Sequence, residues 1–340
     1  MAAMTIKDIA RLSGCGVATV SRVLNNYPDV SEATRRRVLE VVEQYGFQPN
    51  SNARNLKQQS GRRVAVILKG TQNMLFADMV EHVQQHLQAH GLDAALYYLD
   101  EEANEVAFAR QVCREFKPPA ILFLGGDLEY FRQDFHSITV PCALLTNTAE
   151  EFDYPNLSSV TTDDAAGAET AVDLLLDRGH RSIGILGGNW ACSQIGFSRI
   201  QGCRRSFERH GLPFDADRIG EPCRYSLDGG YAAAGRLLDR CPELTAVFAL
   251  SDVIAIGAIR ALRDRGLRVP EDVSAVGFDG VPLSRFLTPC LATVRQDTAR
   301  IARRGVELLL ERMERDGLPP VHERVPFLLM EGESVADRRN

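Results

Sequence analysis

Apolar runs rich in β-branched residues alternate with amphipathic helical segments after Arg63, and this alternation limits the possible fold more than any other feature. The runs predict strands at Val64–Leu68, Ala94–Leu99, Ala120–Leu124, Cys142–Leu145, Ile183–Leu186, Ala246–Leu250 and Val273–Val276. The intervening segments predict helices at Ala77–His90, Ala165–Arg178, Arg199–His210, Gly230–Arg240 and Ala255–Arg265. Apolar strands separated by helices indicate parallel sheets with helices on both faces. Seven strands with intervening helices are too many for one small sheet, and two α/β lobes are therefore predicted.

Residues 5–45 follow a different pattern, which predicts three short helices. Thr5 is placed to cap the first helix, with Asp8 in the capping-box position. Apolar residues recur at helical spacing: Ile6, Ile9, Ala10 and Leu12 in the first helix, Val17, Val20, Val23 and Leu24 in the second, and Val38, Val41 and Val42 in the third, which Ser31 caps. The segment 46–63 is polar and predicts a linker.

The charge is divided unevenly between these two parts of the chain. Residues 1–60 carry eight Lys/Arg and five Asp/Glu, a net charge of +3, while the whole chain carries −6. The remainder therefore carries −9. A basic head on an acidic body predicts that any polyanion binds the head.

Several classes of protein are disfavoured by what the sequence lacks. No apolar run approaches the length of a membrane span, and the first residues do not read as a signal peptide, so a cytoplasmic protein without membrane contact is expected. The eight cysteines form no CxxC pair, and no Cys/His cluster has metal-ligand spacing. We also find no GxGxxG after a strand, GxxxxGK[ST], HExxH or GxSxG. These absences favour a binding protein without a metal or cofactor over an enzyme.

Five stretches of the chain, taken in order, resemble the lactose/galactose-repressor family of bacterial regulators. The first is "TIKDIARLSGCGVATVSRVLNNYPDVSEATRRRVLEVVEQYGFQPNSNARNL", which is similar to the family's DNA-binding head. The others are "RGHRSIGILGG", "SRIQGCRRSFERHGL", "ALSDVIAIGAIRALRDRGLRVPEDVSAVGFDG" and "PCLATVRQD", which are similar to its sensor domain. The resemblance therefore covers essentially the whole chain.

For the head, the resemblance implies a helix-turn-helix whose second helix enters the major groove of DNA. Val17, Ala18 and Arg22 match the family's base-reading positions. An arginine suits a bidentate contact with guanine, whereas the two small apolar residues can only touch thymine methyl groups. The remaining expected contacts of the head, chiefly with phosphate groups, are Thr5, Thr19, Ser21 and Asn25. Gly16 departs from the pattern, because the family usually has a phosphate-contacting serine there.

The linker resembles the family's hinge, which becomes helical on operator DNA. Leu56 matches the leucine that wedges into the minor groove, a recognised way to kink DNA. Its expected companions at the DNA are Asn50, Ala53 and Arg54. Asn52 departs from the pattern, because an aliphatic residue usually packs hinge against hinge at this position.

For the body, the resemblance implies a two-lobed fold like that of periplasmic sugar-binding proteins, with a ligand in the cleft. The expected bounds are 1–48 for the head, 49–61 for the hinge, 62–162 with 293–324 for the first lobe, and 163–292 with 325–340 for the second. The expected ligand-binding residues are Phe76, Ser193, Arg199, Tyr225, Ser251 and Asp279. Among these, Asp279 would accept hydrogen bonds, Arg199 would clamp the ligand and Tyr225 would stack on it. The segment "NMLF" at 73–76, Ser193, Ile195 and Thr162-Asp163 all depart from the family's pattern, so no known effector is transferred. Sugar, sugar phosphate, polyol and nucleobase stay open as ligands.

These features together predict an α/β protein with an all-α helix-turn-helix head. We expect this protein to be a transcriptional regulator, and specifically a repressor. Symmetry predicts a homodimer on a pseudo-palindromic double-stranded DNA operator, since one head reads one half-site. A small-molecule effector, such as a carbohydrate, would control it. The alternative is a stand-alone ligand-binding protein of the same fold without operator function.

Overall fold

The computed structural model describes residues 6–24, 30–45, 62–190, 195–315 and 317–339, and the chain divides into two compact units, residues 1–61 and 62–340. In the described part of the first unit the predicted three helices are present: α1 (Ile6–Ser13), α2 (Val17–Leu24) and α3 (Glu32–Gln44). Ser31 caps α3 as predicted, since its hydroxyl accepts a hydrogen bond from the backbone N–H of Thr34 at 3.3 Å.

A small apolar core joins the three helices of the first unit. Its buried members are Ile9, Ala10, Val20, Val23 and Val38. Two predicted core residues are instead exposed, Leu12 by 41% and Val17 by 43%. Val17 is the first residue of α2 and lies at the edge of the inward face that Val20 and Val23 occupy. Leu12 likewise lies beside the inward stripe of α1.

The first lobe of the second unit is built on a six-stranded parallel sheet with the strand order β11-β5-β4-β3-β1-β2. Its strands are β1 (Arg63–Lys69), β2 (Asp93–Leu99), β3 (Ile121–Leu124), β4 (Cys142–Leu145), β5 (Leu157–Thr162) and β11 (His322–Val325). Its helices are α4 (Leu75–Ala89), α5 (Glu105–Phe116), α6 (Leu128–Asp134) and α12 (Thr298–Glu314). Alternate residues of β1 serve two cores: Val64, Val66 and Leu68 pack with α4 and α12, whereas Ala65 and Ile67 pack with α5 and α6.

The second lobe repeats this plan with the strand order β12-β10-β9-β8-β6-β7, in which only the edge strand β12 is antiparallel. Its strands are β6 (Ile183–Leu186), β7 (Gly220–Glu221), β8 (Ala246–Ala249), β9 (Ser274–Asp279), β10 (Ala292–Arg295) and β12 (Leu328–Met330). Its helices are α7 (Asp164–Asp177), α8 (Ile195–Arg209), α9 (Ala216–Ile219), α10 (Leu227–Arg240) and α11 (Asp252–Asp264). Helices α7 and α8 cover one face of the sheet, and α10 and α11 cover the other. None of the helices within the described ranges is long and apolar enough to cross a membrane.

The chain passes between the two sheets three times, as the two-lobed prediction requires. The first crossing follows Thr162, where β5 ends. The second was predicted at residue 293, but β10 pairs with β9 through Arg295, so the crossing comes after that residue. The third was predicted after residue 324, but Val325 still pairs with Thr162 in the first sheet. Both differences arise because strand pairing, which the local sequence does not show, decides the lobe of each residue.

Candidate functional sites

Helix α2 presents an outer face that is free of the head's own core. Val20 and Val23 are buried on the inner side, whereas Val17, Ala18 and Arg22 are exposed on the other. The turn before it positions this face: Gly14 has φ of 63°, a conformation natural for glycine, and α1 ends there. The helix therefore offers one arginine and two small apolar groups on one surface, which is the combination expected for reading bases.

The other predicted DNA contacts are described only in part. Thr19 is half-buried on α2, and Ser21 belongs to the same helix. The remaining predicted contacts lie outside the described residues: Thr5, Asn25, Asn50, Ala53, Arg54 and Leu56. The predicted ligand-binding residue Ser193 also lies outside them.

A cavity opens between the two lobes at the carboxyl ends of their parallel strands, where open α/β sheets usually bind ligands. Its volume is about 690 Å³, part of which is open to solvent. The polar side chains that line it from the first lobe are Lys69, Asn73, Glu101, Thr146 and Asn147. Those from the second lobe are Asn189, Arg199 and Tyr225. We call this space the cleft cavity.

Arg199 lies on α8 at the wall of the cleft cavity, as predicted, and is almost completely buried. Its Nε donates to Asp164 Oδ1 at 2.8 Å, its Nη2 lies 3.5 Å from Asp279 Oδ1, and its Nη1 donates to the carbonyl oxygen of Leu250. The guanidinium also lies over the ring of Phe278, 3.8 Å from the centroid. Its position is therefore set by several contacts at once. Burial raises the pKa of Asp164 to about 6, although the charge of Arg199 acts to lower it.

Asp279 and Ser251, which were expected to contact a ligand directly, do not border the cleft cavity. Both are buried, and Ser251 Oγ donates to Asp279 Oδ2 at 2.6 Å. The other carboxylate oxygen accepts from Gln296 Nε2 at 2.9 Å and faces Arg199. Because both oxygens have partners within the protein, Asp279 supports Arg199 from behind in this conformation. Its φ of 112° is unusual for a residue other than glycine, and these contacts hold it there.

The same polar network continues to the segments that join the lobes. Gln296 follows β10 at the second crossing, and its Oε1 accepts from Thr162 Oγ1 at 2.8 Å. Thr161 Oγ1 donates to Asp164 Oδ2 at 3.3 Å. Arg199 at the cavity wall is thus linked through Asp164 and Asp279 to two of the three crossings.

Two aromatic residues predicted from the sequence, Phe76 and Tyr225, also line the cleft cavity, one from each lobe. The hydroxyl oxygen of Tyr225 is buried and has no hydrogen-bond partner among the described residues. A side chain at Gly188 would come within 2.8 Å of this oxygen, so the glycine leaves room for it. A buried hydroxyl without a partner costs stability unless a ligand supplies one.

The lobes also touch each other across the mouth of the cleft cavity. Arg224 forms an ion pair with Asp100, and Glu101 Oε2 accepts from the backbone N–H of Tyr225 at 3.1 Å. Asp100 and Glu101 follow β2 of the first lobe, whereas Arg224 and Tyr225 belong to the second. Burial raises the pKa of Glu101. These contacts favour a closed arrangement of the lobes, and we call the Arg224–Asp100 pair the cross-cleft pair.

Sequence reasoning missed the polar residues that the first lobe contributes. Lys69, Glu101 and Asn147 directly end or follow β1, β2 and β4. The signal that could have found them was already present, because polar residues just after parallel strands meet at one sheet edge. Among the described residues, no group of three or more His, Cys, Asp or Glu is arranged to hold a metal ion.

Comparison with known proteins gives two family matches. A family model described as "Bacterial regulatory proteins, lacI family" matches residues 5–50, which include the three helices of the first unit. A second, described as "Periplasmic binding protein-like domain", matches residues 172–335.

Individual relatives match along nearly the whole chain. The HTH-type transcriptional regulator MalR of Clostridium butyricum is 35% identical over 325 residues, which are 92% of this chain and 94% of the relative. The ribose operon repressor of Haemophilus influenzae is 30% identical over 310 residues, 91% of this chain and 92% of the relative. A solved complex of the transcriptional regulator CelR with cellobiose has a TM-score of 0.71 at 28% identity and covers 97% of this chain and 99% of that one.

The hydroxyl of Tyr225 provides a first test. We expect Tyr225→Phe to leave the free energy of unfolding without ligand unchanged or to raise it by up to about 1 kcal/mol, since an unpaired buried hydroxyl is removed. The affinity for a sugar that binds the wild-type protein should fall by up to about tenfold, the upper end of the range for one hydrogen bond. Urea denaturation and calorimetry measure the two quantities.

Tyr154→Phe is the matched control, because the Tyr154 hydroxyl donates to the Phe131 carbonyl at 3.0 Å, away from the cleft cavity. It should lower stability by about 1 kcal/mol and leave sugar affinity unchanged. If Tyr225→Phe is as destabilising as the control, its hydroxyl has a partner in the free protein.

Proposed function

The chain belongs to the LacI family of bacterial regulatory proteins and is a DNA-binding transcriptional regulator, not an enzyme, and we propose that it is a dimeric repressor controlled by a polyhydroxylated ligand in the cleft cavity. The observation that carries this proposal is the cavity wall itself. It combines a fixed guanidinium, a buried hydroxyl with no partner among the described residues, and amide side chains with two aromatic rings. Rings and directed hydrogen-bonding groups are what a sugar needs.

Similar proteins support the same class of ligand. One relative is named a ribose operon repressor, and one solved neighbour holds cellobiose. Both names refer to carbohydrates. The alternative of a stand-alone ligand-binding protein does not account for residues 5–50, which match the family's regulatory head.

For the head, we propose that Arg22 reads a guanine while Val17 and Ala18 contact apolar base edges. Support comes from the outer face of α2, where all three residues are exposed on one side. Two such heads in a dimer would read the two halves of a pseudo-palindrome. The expected phosphate and minor-groove contacts at Thr5, Thr19, Ser21, Asn25, Asn50, Ala53, Arg54 and Leu56 remain part of the proposal.

For the body, we propose that ligand binding favours closed lobes and so changes operator affinity. A ligand can shift this equilibrium only by as much as it prefers one state. A ligand held by Arg199 and Tyr225 on one lobe and Asn147 on the other gains all its contacts only when the lobes are closed. Asp279 and Ser251 act in this proposal by holding Arg199, and the polar network carries its position to the crossings.

Arg22 tests the base-reading proposal. Arg22→Ala should remove about 1–3 kcal/mol of discrimination between operator and random DNA, the usual size of a bidentate base contact. Arg36→Ala is the matched control, because Arg36 is an exposed arginine of α3 in the same unit. Arg36→Ala should lower the affinity for operator and for random DNA by the same factor, or change neither affinity. Affinities at one fixed salt concentration decide the matter, and equal losses on both DNAs for Arg22→Ala would exclude base reading.

Ligand control is tested by titrating an operator, selected from a random pool, in the presence of candidate sugars. We expect at least one neutral sugar from a panel of pentoses, hexoses and disaccharides to change wild-type operator affinity about fivefold or more, the usual range of allosteric coupling. Tyr225→Phe should need up to about ten times more of that sugar, with unchanged operator affinity in its absence. A protein that binds operator but answers to no compound of the panel would contradict the proposal.

The cross-cleft pair gives a further prediction. Arg224→Glu places like charges opposite Asp100 and Glu101, so sugar affinity should fall only about twofold to fivefold, because water screens exposed ion pairs and each contributes little. Adding Asp100→Arg to this variant should restore the affinity. Arg218→Glu is the control, since Arg218 pairs with Glu243 within the second lobe. Equal effects of Arg218→Glu and Arg224→Glu on sugar affinity would show that the cross-cleft pair does not favour closure.

A further inference from the structure

A lysine and a glutamate form a buried ion pair in the first-lobe wall of the cleft cavity. Lys69 is the last residue of β1 and Glu105 is the first of α5, and their Nζ and Oε2 atoms are 2.6 Å apart. Lys69 is 8% exposed and borders the cavity, whereas Glu105 is completely buried behind it. The resemblance to known regulators did not point to either residue.

Neighbouring groups hold this pair in one geometry. The second carboxylate oxygen of Glu105 accepts from the backbone N–H of Asp127 at 2.6 Å. The ammonium of Lys69 lies 4.7 Å from the centroid of the Tyr130 ring. A side chain at Gly126 would come within 2.9 Å of Phe131 and 3.3 Å of Glu105, so this glycine is needed for the close packing.

Stability alone does not explain a pair at this place. Burying two charges costs about as much as their attraction returns, and apolar residues of similar volume would serve a wall equally well or better. Burial raises the pKa of Glu105, which the charge of Lys69 partly offsets. A charged pair kept at the wall of a ligand cavity therefore points to a role toward the ligand.

The ammonium retains the capacity to bind a ligand. It has three N–H donors, and Glu105 is its only hydrogen-bond acceptor among the described residues. The Tyr130 ring lies next to the ammonium, but a ring face does not take up an N–H donor as a carbonyl or hydroxyl oxygen does. Since Lys69 borders the cleft cavity, an oxygen atom of a ligand can accept a second hydrogen bond from it.

The cavity wall nevertheless holds no excess of positive charge. Glu105 balances Lys69, and Asp164 and Asp279 together more than balance Arg199. Glu101 adds a further carboxylate at the edge of the cavity. A phosphate or carboxylate group on a ligand would lose its hydration shell here without meeting an unbalanced cation. A neutral hydroxyl group loses much less hydration free energy on entering the cavity.

We propose that Lys69 donates a hydrogen bond to a neutral oxygen of the ligand, and that its compensation by Glu105 makes the cleft select uncharged polyols over their phosphorylated or carboxylated derivatives. This inference rests on the proposed function, in which the cleft cavity binds a sugar-like effector. It adds the charge of that ligand and a specificity-determining pair.

The test compares matched compounds that differ in charge. Ribose with ribose 5-phosphate, glucose with glucose 6-phosphate and glucuronate, and cellobiose are titrated into the full-length wild-type protein. Calorimetry measures affinity, and the fluorescence of Trp190, the only tryptophan of the chain and next to Asn189 of the cavity wall, gives a second signal. For any neutral sugar that binds, the charged derivative should bind at least tenfold more weakly.

Variants of the pair test the cause of this selectivity. Glu105→Gln leaves Lys69 uncompensated, so the affinity ratio should move at least tenfold toward the phosphorylated derivative. Lys69→Met should weaken the neutral sugar at least tenfold without any move toward the charged one. Glu129→Gln is the control, because it removes a partly exposed carboxylate of α6 in the same lobe and should change neither ratio. Circular dichroism confirms that each variant is folded.

Each outcome decides the inference. A wild-type protein that prefers a phosphorylated or carboxylated compound overturns the inference and keeps the proposed function. An unchanged ratio in folded Glu105→Gln, or unchanged neutral-sugar affinity in Lys69→Met, also overturns it. If Glu105→Gln does not fold, the double variant Lys69→Met/Glu105→Gln, which removes both charges, must lose neutral-sugar affinity without gaining affinity for anions. Response to none of the compounds, together with operator binding that no sugar changes, contradicts the proposed function itself.

Discussion

The buried contact between Arg199 and its two carboxylates is the interaction on which the second unit depends. Asp164 begins the second lobe and Asp279 ends β9, so one guanidinium ties together the start of a helix, the end of a strand and the wall of the cleft cavity. A buried charge deprived of its partner costs several kcal/mol. The cluster therefore forms as a whole, and the cavity wall is in place before any ligand arrives.

The ion pairs in the walls of the cleft are buried, whereas the ion pair at its mouth is exposed to water. The pairs of Lys69 with Glu105 and of Arg199 with Asp164 lie within single lobes and are buried, so they keep the walls rigid. The cross-cleft pair of Arg224 with Asp100 is about half exposed, so water screens its charges. Separating the two side chains when the lobes open therefore costs little free energy. Buried ion pairs inside the lobes and a partly exposed ion pair at the mouth suit a protein whose lobes close as rigid bodies.

Much of the fold could be predicted from the sequence, because apolar periodicity is a local property. The alternating runs predicted seven strands and five helices, and the three helices of the head were predicted with Ser31 as a cap. The missed strands show where such patterns fail. In β5 the residues Ser158, Ser159 and Thr161 are polar yet buried, and β11 reads "HERV", so neither resembles an apolar run. Strand β5 lies inside the sheet and β11 lies at its edge, and pairing with neighbouring strands gives both of them backbone hydrogen bonds. Their amino-acid composition does not predict this pairing.

The sequence by itself determined the types of element, their order, the basic head and the resemblance to a family, because each of these is written in neighbouring residues. It also pointed to Arg199, Tyr225 and Phe76, which line the cleft cavity. Only the tertiary structure decided that Asp279 and Ser251 stand behind Arg199, and that Lys69 faces the cavity with Glu105 behind it. The partners are 28 positions apart for Ser251 with Asp279, 35 for Arg199 with Asp164, and 36 for Lys69 with Glu105. Which charges are balanced and which groups remain open to a ligand depends on such long-range contacts, and no local pattern encodes them.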